Sequence, residues 1–441
     1  MIAIVVSRAD SASAHVGEHL LELAEWASFE DESVPDAAGG GTVYRRDGFE
    51  LREFDALHLD IEDAAEPFSD PDLLVFASRH SGDTGPLLTA HFTGNFGPAE
   101  YGGTEGRLAA ACPNALARLL DAFETHAPAE YEVGMECTHH GPSSVGVPSL
   151  FAELGSDEPQ WNDPEGARAL ARAILDLKGV APHRDRQLVG FGGGHYAPRF
   201  ERIVRETDWA VGHIAADWVL DAMGAPERNR AVLRRAFEAS RAERAVIEGD
   251  SPELETTIER LGYGVVGETW VRETDGVPLE LVAALGADLG SVADGLRFGD
   301  PATGHEGGYE VVSLPDELLA EAQGVDADRA RAAVASNAVA FQTEQSGTRA
   351  TGRAAVREFA DREALIAALA DVLRTKYDSV AREDGAVVAR ETAFDPEKAS
   401  ALGVPEGPAF GKLSAGQSVT VDGEEIDPET VRSERVHRFP L

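Results

Sequence analysis

Short apolar runs alternate with stretches of helical periodicity over residues 1–270, and this alternation limits the possible folds more than any other feature of the chain. Ile2 to Val6 reads as a strand, and Ser11 as the N-cap of a helix carrying Val16, Leu20, Leu23 and Ala27 on one face. Val43 to Arg46 and Phe49 to Arg52 flank Asp47-Gly48, a strong hairpin signal. Further strands are expected at Leu57 to Ile61, Leu73 to Ala77, Tyr131 to Met135, Leu188 to Phe191, Ala210 to Ile214 and Ala245 to Glu248. Helices are expected at Asn114 to Thr125, Glu165 to Leu177 and Arg228 to Arg241, with a last one opened by Ser251-Pro252 and closed at Gly262. The pattern predicts an α/β fold: a mixed, largely parallel sheet flanked by helices, with an antiparallel hairpin near the start. Ligands in such sheets gather at the carboxyl ends of strands.

At 441 residues the chain exceeds the roughly 250–300 at which single cores stop growing, so more than one domain is expected. Past residue 270 histidine-dense motifs stop and a glycine-rich stretch, Gly299 to Gly308, appears. The expected division is a catalytic domain over 1–270 and a C-terminal extension over 271–441. The extension reads as a smaller α+β domain of unassigned role. Its helices are expected at Leu314 to Ala322, Ala327 to Ala340 and Glu363 to Lys376, and a hairpin turn at Asp422-Gly423.

No apolar run approaches the ~20 residues of a membrane helix, and the N-terminus reads as a first strand, not a signal peptide. A soluble, cytoplasmic protein is the expectation. Two cysteines, Cys112 and Cys137, make neither a disulfide framework nor a cysteine zinc site. The 78 acidic residues against 39 basic ones give a net charge of −39, with only four lysines, and the acids interleave with apolar residues along the whole length. This pattern reads as adaptation to a cytosol of high salt. A surface so acidic repels nucleic acid in dilute buffer, but at about 1 M salt the screening length falls to roughly 3 Å and local contacts decide. Net charge therefore does not exclude an RNA substrate.

Of the 13 histidines, His80, His91, His139, His140, His195 and His213 each follow an apolar run or sit in a Gly/Pro/Ser-rich turn, where strand ends deliver side chains into a crevice. Val75 to Ser81 is a buried strand breaking into polar residues, so Arg79 and His80 emerge at its lip. In Glu136-Cys137-Thr138-His139-His140-Gly141-Pro142 the Gly-Pro pair allows a kink that turns both histidines to one site, with Glu136 and Thr138 on a shared face to orient them. Gly192-Gly193-Gly194-His195-Tyr196 at a strand end suits a phosphate or oxyanion cradle, and Asn95 with the Tyr101-Gly102-Gly103 turn adds polar groups for an adenosine or an amino acid backbone. Each segment alone also fits a capped strand end or a plain turn. Without a Gly-x-Ser-x-Gly elbow or a Cys/His pairing, covalent catalysis has little support. Histidines beside a carboxylate suit water activation, either around a metal or with a neutral imidazole as general base.

The ordered set Phe76-Ala77-Ser78-Arg79-His80-Ser81, Thr93-Gly94-Asn95, Tyr101-Gly102-Gly103, Glu136 with Thr138-His139-His140-Gly141-Pro142, Pro148-Ser149, Gly192 to Pro198 and Gly212-His213 resembles the archaeal and plant type of D-aminoacyl-tRNA deacylase over residues 1–270. The resemblance implies a monomeric, zinc-associated hydrolase acting on D-aminoacyl-tRNA, with a fold akin to peptidyl-tRNA hydrolases and nucleoside phosphorylases. It implies His80, His140, His195 and Glu136 as catalytic residues. Arg79, Asn95, Gly192, Gly193, Gly194, Tyr196 and Arg199 are implied in substrate binding, Arg199 standing where the family commonly has lysine. Zn²⁺ ligands are implied among His139, His140, His195, His213 and Glu136. The alternatives are a peptidyl-tRNA hydrolase or nucleoside phosphorylase-like enzyme of the same fold, and a non-catalytic tRNA- or metal-binding protein.

Overall fold

Strand β1 (Ile2–Ser7) is buried along its whole length, as a strand with helices on both faces of its sheet must be. The computed structural model describes residues 1–441, which fall into two compact units, Met1–Arg272 and Glu273–Leu441. In the first unit β1 is followed by β2 (Ala27–Asp31), β3 (Gly41–Arg46), β4 (Phe49–Phe54), β5 (Leu73–Arg79), β6 (Leu87–His91), β7 (Glu132–Met135) and β8 (Ser149–Gly155). They form one sheet in the order β2-β3-β4-β1-β5-β8-β6-β7. Its centre, β4-β1-β5-β8, is parallel; β2, β3 and β4 form an antiparallel ribbon, and β6 runs against β8. A second, wholly parallel sheet contains β9 (Gln187–Phe191), β10 (Ala210–Ala215), β11 (Arg244–Ile247) and β12 (Gly264–Val265) in the order β10-β9-β11-β12. The fold is thus mixed α/β with largely parallel sheets.

Helices dock by their small apolar faces. Pro164–Leu175 buries Ala167, Leu170, Ala171 and Ile174, the i, i+3, i+4, i+7 stripe of a core-facing helix. The helix Ser11–Glu22 is capped by Asp10, whose carboxylate accepts the N–H of Ala12 at 3.0 Å and, at the far end of β5, the N–H of Arg79 at 3.0 Å. Asp10→Ala removes the cap and orphans a buried donor. It is expected to lower stability by about 2–4 kcal/mol, read by chemical denaturation in molar salt; a loss under about 0.5 kcal/mol contradicts this account.

Three expected elements differ. The first helix stops at Glu22 and Ala27 instead begins β2, paired with β3. Leu57 to Ile61 is a 3-10 turn at His58–Asp60 and not a strand: β1, β4 and β5 already have both edges paired, so it has no open edge to join. The helix expected to reach Ala340 ends at Ala335.

The second unit continues with β13 (Leu296–Phe298), β14 (Glu310–Ser313), β15 (Ala340–Glu344) and β16 (Arg349–Val356) in an antiparallel sheet ordered β13-β15-β16-β14. Then β17 (Ser379–Glu383), β18 (Ala386–Phe394), β19 (Val419–Val421), β20 (Glu424–Ile426) and β21 (Arg432–Pro440) make a three-stranded sheet, β17-β18-β21, and the β19-β20 hairpin. Asp422 and Gly423 turn that hairpin with φ of 49° and 91°, both left-handed as a tight hairpin turn requires. Phe341 sits in its core with Leu318, Leu365 and Leu369, making an α+β unit.

What positions the site is the register of β5, β8 and β6. Phe76, Phe151 and His91 stand opposite one another across these strands, and two residues on, Ser78, Glu153 and Thr89 form the next row of the same face. The first row is a stack: Phe76 lies 4.6 Å from Phe151 at 13°, and Phe151 5.1 Å from His91 at 3°. The second row places a carboxylate inside the sheet.

Candidate functional site

Glu153 accepts the Ser78 hydroxyl at 3.0 Å, and lies 3.5 Å from His91 Nε2 and 3.7 Å from His80 Nδ1. Its partner carboxylate arrives from β7. Glu136 extends the ladder by donating its N–H to Ala90 O at 3.0 Å, after which Cys137 N–H bonds His195 O and Thr138 N–H bonds Ile214 O, each at 2.8 Å. The segment thereby crosses from the first sheet to the second and delivers His139 and His140 between them. Glu136 meets His80 Nδ1 at 3.2 Å through Oε1 and, through Oε2, His195 Nε2 at 2.8 Å and His139 Nε2 at 3.9 Å.

His91, His139 and His140 form a nearly equilateral triangle, with ring centres 4.5, 4.6 and 4.5 Å apart. Each directs Nδ1 to a backbone carbonyl: His91 to Phe92 O at 2.9 Å, His139 to Cys137 O and His140 to Gly141 O at 2.8 Å. A carbonyl only accepts, so Nδ1 carries the proton; in His139 and His140 Nε2 keeps the lone pair, the arrangement of a metal-ready imidazole, whereas His91 Nε2 faces the Glu153 carboxylate at 3.5 Å. His91 Nε2 and Glu136 Oε1 are buried without a well-formed hydrogen bond, their charged neighbours Glu153 at 3.5 Å and His80 at 3.2 Å being poorly aligned with them. Orphans of this kind, among donors of the type zinc prefers, fit a bound cation. The nitrogens of the triangle lie within 4.8 Å of one another, as do the ligand atoms of Cys137, His139 and His195 and those of His80, Glu136 and Glu153.

The cluster divides electrostatically. Burial opposes ionisation of Glu136, but His195 and His80 outweigh it and hold the carboxyl well below the usual range; His80 and His91 do the same for Glu153. Burial also opposes a cationic His80, yet Glu136 and Glu153 push it up to about 10, and Glu153 likewise raises His91. In His139 and His140 burial dominates, helped by the neighbouring imidazoles. His139 falls well below its ordinary value and His140 to about 3. An ion-paired half thus abuts a neutral half, the separation of charge states that acid–base chemistry uses.

The structure brings His80, His139, His140, His195 and Glu136 together, and against the expectation of no Cys/His pairing it sets Cys137 Sγ 3.6 Å from His195 Nδ1, with burial pushing the thiol up to about 12 so that it stays protonated. Tyr196 joins them, with its hydroxyl 3.2 Å from His80 Nε2. It does not bring His213 in: both ring nitrogens are engaged, Nδ1 by the Thr138 hydroxyl and Nε2 by Ala109 O, each at 2.9 Å, so neither is free to ligate. The glycine loop also differs from an anion cradle. Gly192 and Gly193 have the left-handed φ expected, 88° and 81°, but Gly192 N–H bonds Ala215 O and Gly193 N–H bonds the Asp217 carboxylate. A Cβ on Gly193 would stand 2.4 Å from Glu248 Oε2, so carboxylates already surround this loop; Gly194 faces open space. Arg199 pairs with Glu268 at 3.1 Å, Arg79 lies over the Trp161 ring, and Asn95 gives its amide to Gly102 O at 2.9 Å, fixing the 101–103 turn. A cavity of about 730 Å³, lined in part by Arg107, Ser143, Ser144 and Arg235, opens along the segment that leaves His140.

Two central residues were missing from the expected set. His91 had the strand-end signal but no assigned role. Glu153 had a weaker one, a lone acid in the apolar stretch Leu150 to Leu154.

A family model described as D-aminoacyl-tRNA deacylase matches residues 67–266. A D-aminoacyl-tRNA deacylase of Natronomonas pharaonis is 58% identical over 439 residues, covering 100% of both chains. One of Halorubrum lacusprofundi is 56% identical over 100% of this chain and 97% of its own, and one of Methanoregula boonei is 32% identical over 98% and 96%. These alignments include the second unit. A solved crystal structure of a conserved protein of unknown function superposes with a TM-score of 0.56 at 28% identity, over 62% of this chain and 98% of that one. More than half of the residues are identical to those of two relatives along the full length, and the chain belongs to the D-aminoacyl-tRNA deacylase family.

Proposed function

We propose that this cluster hydrolyses the ester of D-aminoacyl-tRNA, releasing tRNA and a D-amino acid. The observation that carries the reading is the pairing of fully buried Glu136 with His195, whose side chain is 30% exposed, so that a proton acceptor of the cluster reaches solvent. His91, His139 and His140 are the residues that would hold Zn²⁺, His91 by giving up any Nε2 proton shared with Glu153, and Glu136 Oε2 lies 3.9 Å from His139 Nε2. Bound there, the ion supplies Lewis-acid polarisation of the ester.

The chain's own groups account for the remainder. His195, its Nε2–H held by Glu136 at 2.8 Å, takes the proton of the attacking water on Nδ1 as the water displaces the long 3.6 Å contact of the Cys137 thiol. His80, held cationic, donates through Nε2 to the Tyr196 oxygen. This leaves the Tyr196 O–H to donate to the carbonyl oxygen as it gains charge, where a prepositioned donor is most effective. The aminoacyl ester is already activated, so modest help to water suffices.

The test compares D-tyrosyl-tRNA, L-tyrosyl-tRNA and N-acetyl-aminoacyl-tRNA in molar salt. Only the first should turn over; hydrolysis of the N-acetyl substrate instead would identify a peptidyl-tRNA hydrolase. His80→Ala, His140→Ala and His195→Ala should each lower turnover of the folded protein by about 10²-fold or more. Full activity in all three would place the chemistry elsewhere.

A further inference from the structure

On the His195 side of the cluster the groups that ordinarily grip phosphate are engaged within the protein, while Arg107 and Arg235 line the separate cavity beyond His140. Arg199 is paired with Glu268 and also donates to Ile247 O at 3.4 Å, Arg79 lies over Trp161, and the glycine loop faces the carboxylates of Asp217 and Glu248. What stands free there is aromatic. Trp218 is the only exposed tryptophan of the five, at 47%, whereas Trp209 is buried and Trp26 and Trp161 bond their indole N–H to Leu20 O and His80 O. Its ring lies 6.3 Å from that of His195 at 26°, while Tyr196 packs edge-on against His195 at 4.9 Å.

Its placement is firm. Asp217 N–H bonds Gly193 O at 2.9 Å, and the short helix Asp217–Met223 anchors itself through buried Val219 and Met223, with Trp218 left facing out. An exposed indole contributes nothing to folding that burial would not improve, and at the mouth of a buried charged cluster it marks a contact surface.

We propose that Trp218 is the platform on which the adenine base of the tRNA's terminal nucleoside stacks. That base is attached to the ribose bearing the scissile ester, so holding it presents the ester to His195. The proposal rests on the deacylase reading and adds how an acidic protein holds an anionic substrate. Phosphate contacts lose affinity steeply as salt rises because their gain comes from counterion release, whereas stacking needs no ion exchange. In molar salt a stacked base is the contact that persists.

The experiment measures D-tyrosyl-tRNA hydrolysis by Trp218→Ala and Trp218→Phe in molar salt, and binding of adenosine and of D-tyrosine by calorimetry. A stacked base contributes about 10- to 100-fold in affinity, so the Ala variant should raise KM by that factor with kcat nearly unchanged, and the Phe variant should restore most of it. Adenosine binding should weaken in parallel and D-tyrosine binding should hold. An unchanged KM overturns the proposal, as does weakened D-tyrosine with intact adenosine, which would assign the indole to the amino acid side chain. A wild-type protein inert on D-tyrosyl-tRNA that still binds adenosine through Trp218 would sink the deacylase reading and sustain the platform. Inertness without adenosine binding sinks both.

Discussion

Glu136→Gln should lower the single-turnover rate on D-tyrosyl-tRNA by about 10²–10⁴-fold, the range ascribed to a lost acid–base group. The substitution conserves shape while removing charge from the one carboxylate that touches His80, His139 and His195 at once. The amide keeps one acceptor oxygen and presents N–H groups in place of the other, so either His195 or His80 loses its acceptor, His80 then keeping only Glu153 at 3.7 Å, and neither retains a full negative charge beside it. Polarisation of Tyr196 and orientation of water weaken together. Breaking a buried ion pair is also expected to destabilise by about 3–5 kcal/mol, so the rate is to be read on the folded fraction in molar salt. Metal analysis of the same preparation gives a second readout: zinc content should fall, because Glu136 Oε2 stands 3.9 Å from His139 Nε2 and its charge is lost. A variant within tenfold of wild type on the folded fraction would remove Glu136 from the chemistry.

Strands built on a continuous apolar run, β1, β5 and β9 to β11, are legible because little in them competes with the buried-strand reading. Among the strands that escaped, β6 and β8 are interrupted by Thr89, His91 and Glu153, and those interruptions are the site. Local pattern and fold disagree there because the sheet gives up apolar packing to hold a carboxylate and an imidazole. His213 illustrates the converse. On the chain it is a strand-end histidine like His195, and only the approach of Thr138 and Ala109 from distant segments shows that both its nitrogens are satisfied. The glycine loop was legible as backbone geometry but not as electrostatics, since Asp217 and Glu248, which decide its charge, come from the ends of other strands. The motif order thus gave the family, while the choice of ligands required tertiary contacts.

Phe151 is where fold and chemistry share one side chain, and its removal gives the largest expected effect outside the ionisable groups. The ring is fully buried, stacked between Phe76 and His91, and it meets His58 and His140 edge-on at 5.1 and 4.9 Å. Phe151→Ala leaves a cavity with rings on both sides that strand register prevents from closing, so about 3–5 kcal/mol of stability should be lost. Two corners of the histidine triangle lose a wall at the same time. Activity should therefore fall at denaturant concentrations where the protein remains folded, and by more than stability alone explains. Phe341→Ala provides the comparison: it deletes an equally buried ring from the core of the second unit, with a similar cost there and no contact with the triangle. If both variants, measured while folded in molar salt, hydrolyse D-tyrosyl-tRNA at the same rate, the stack does not hold the imidazoles in register, and their alignment must come from the Phe92, Cys137 and Gly141 carbonyls alone.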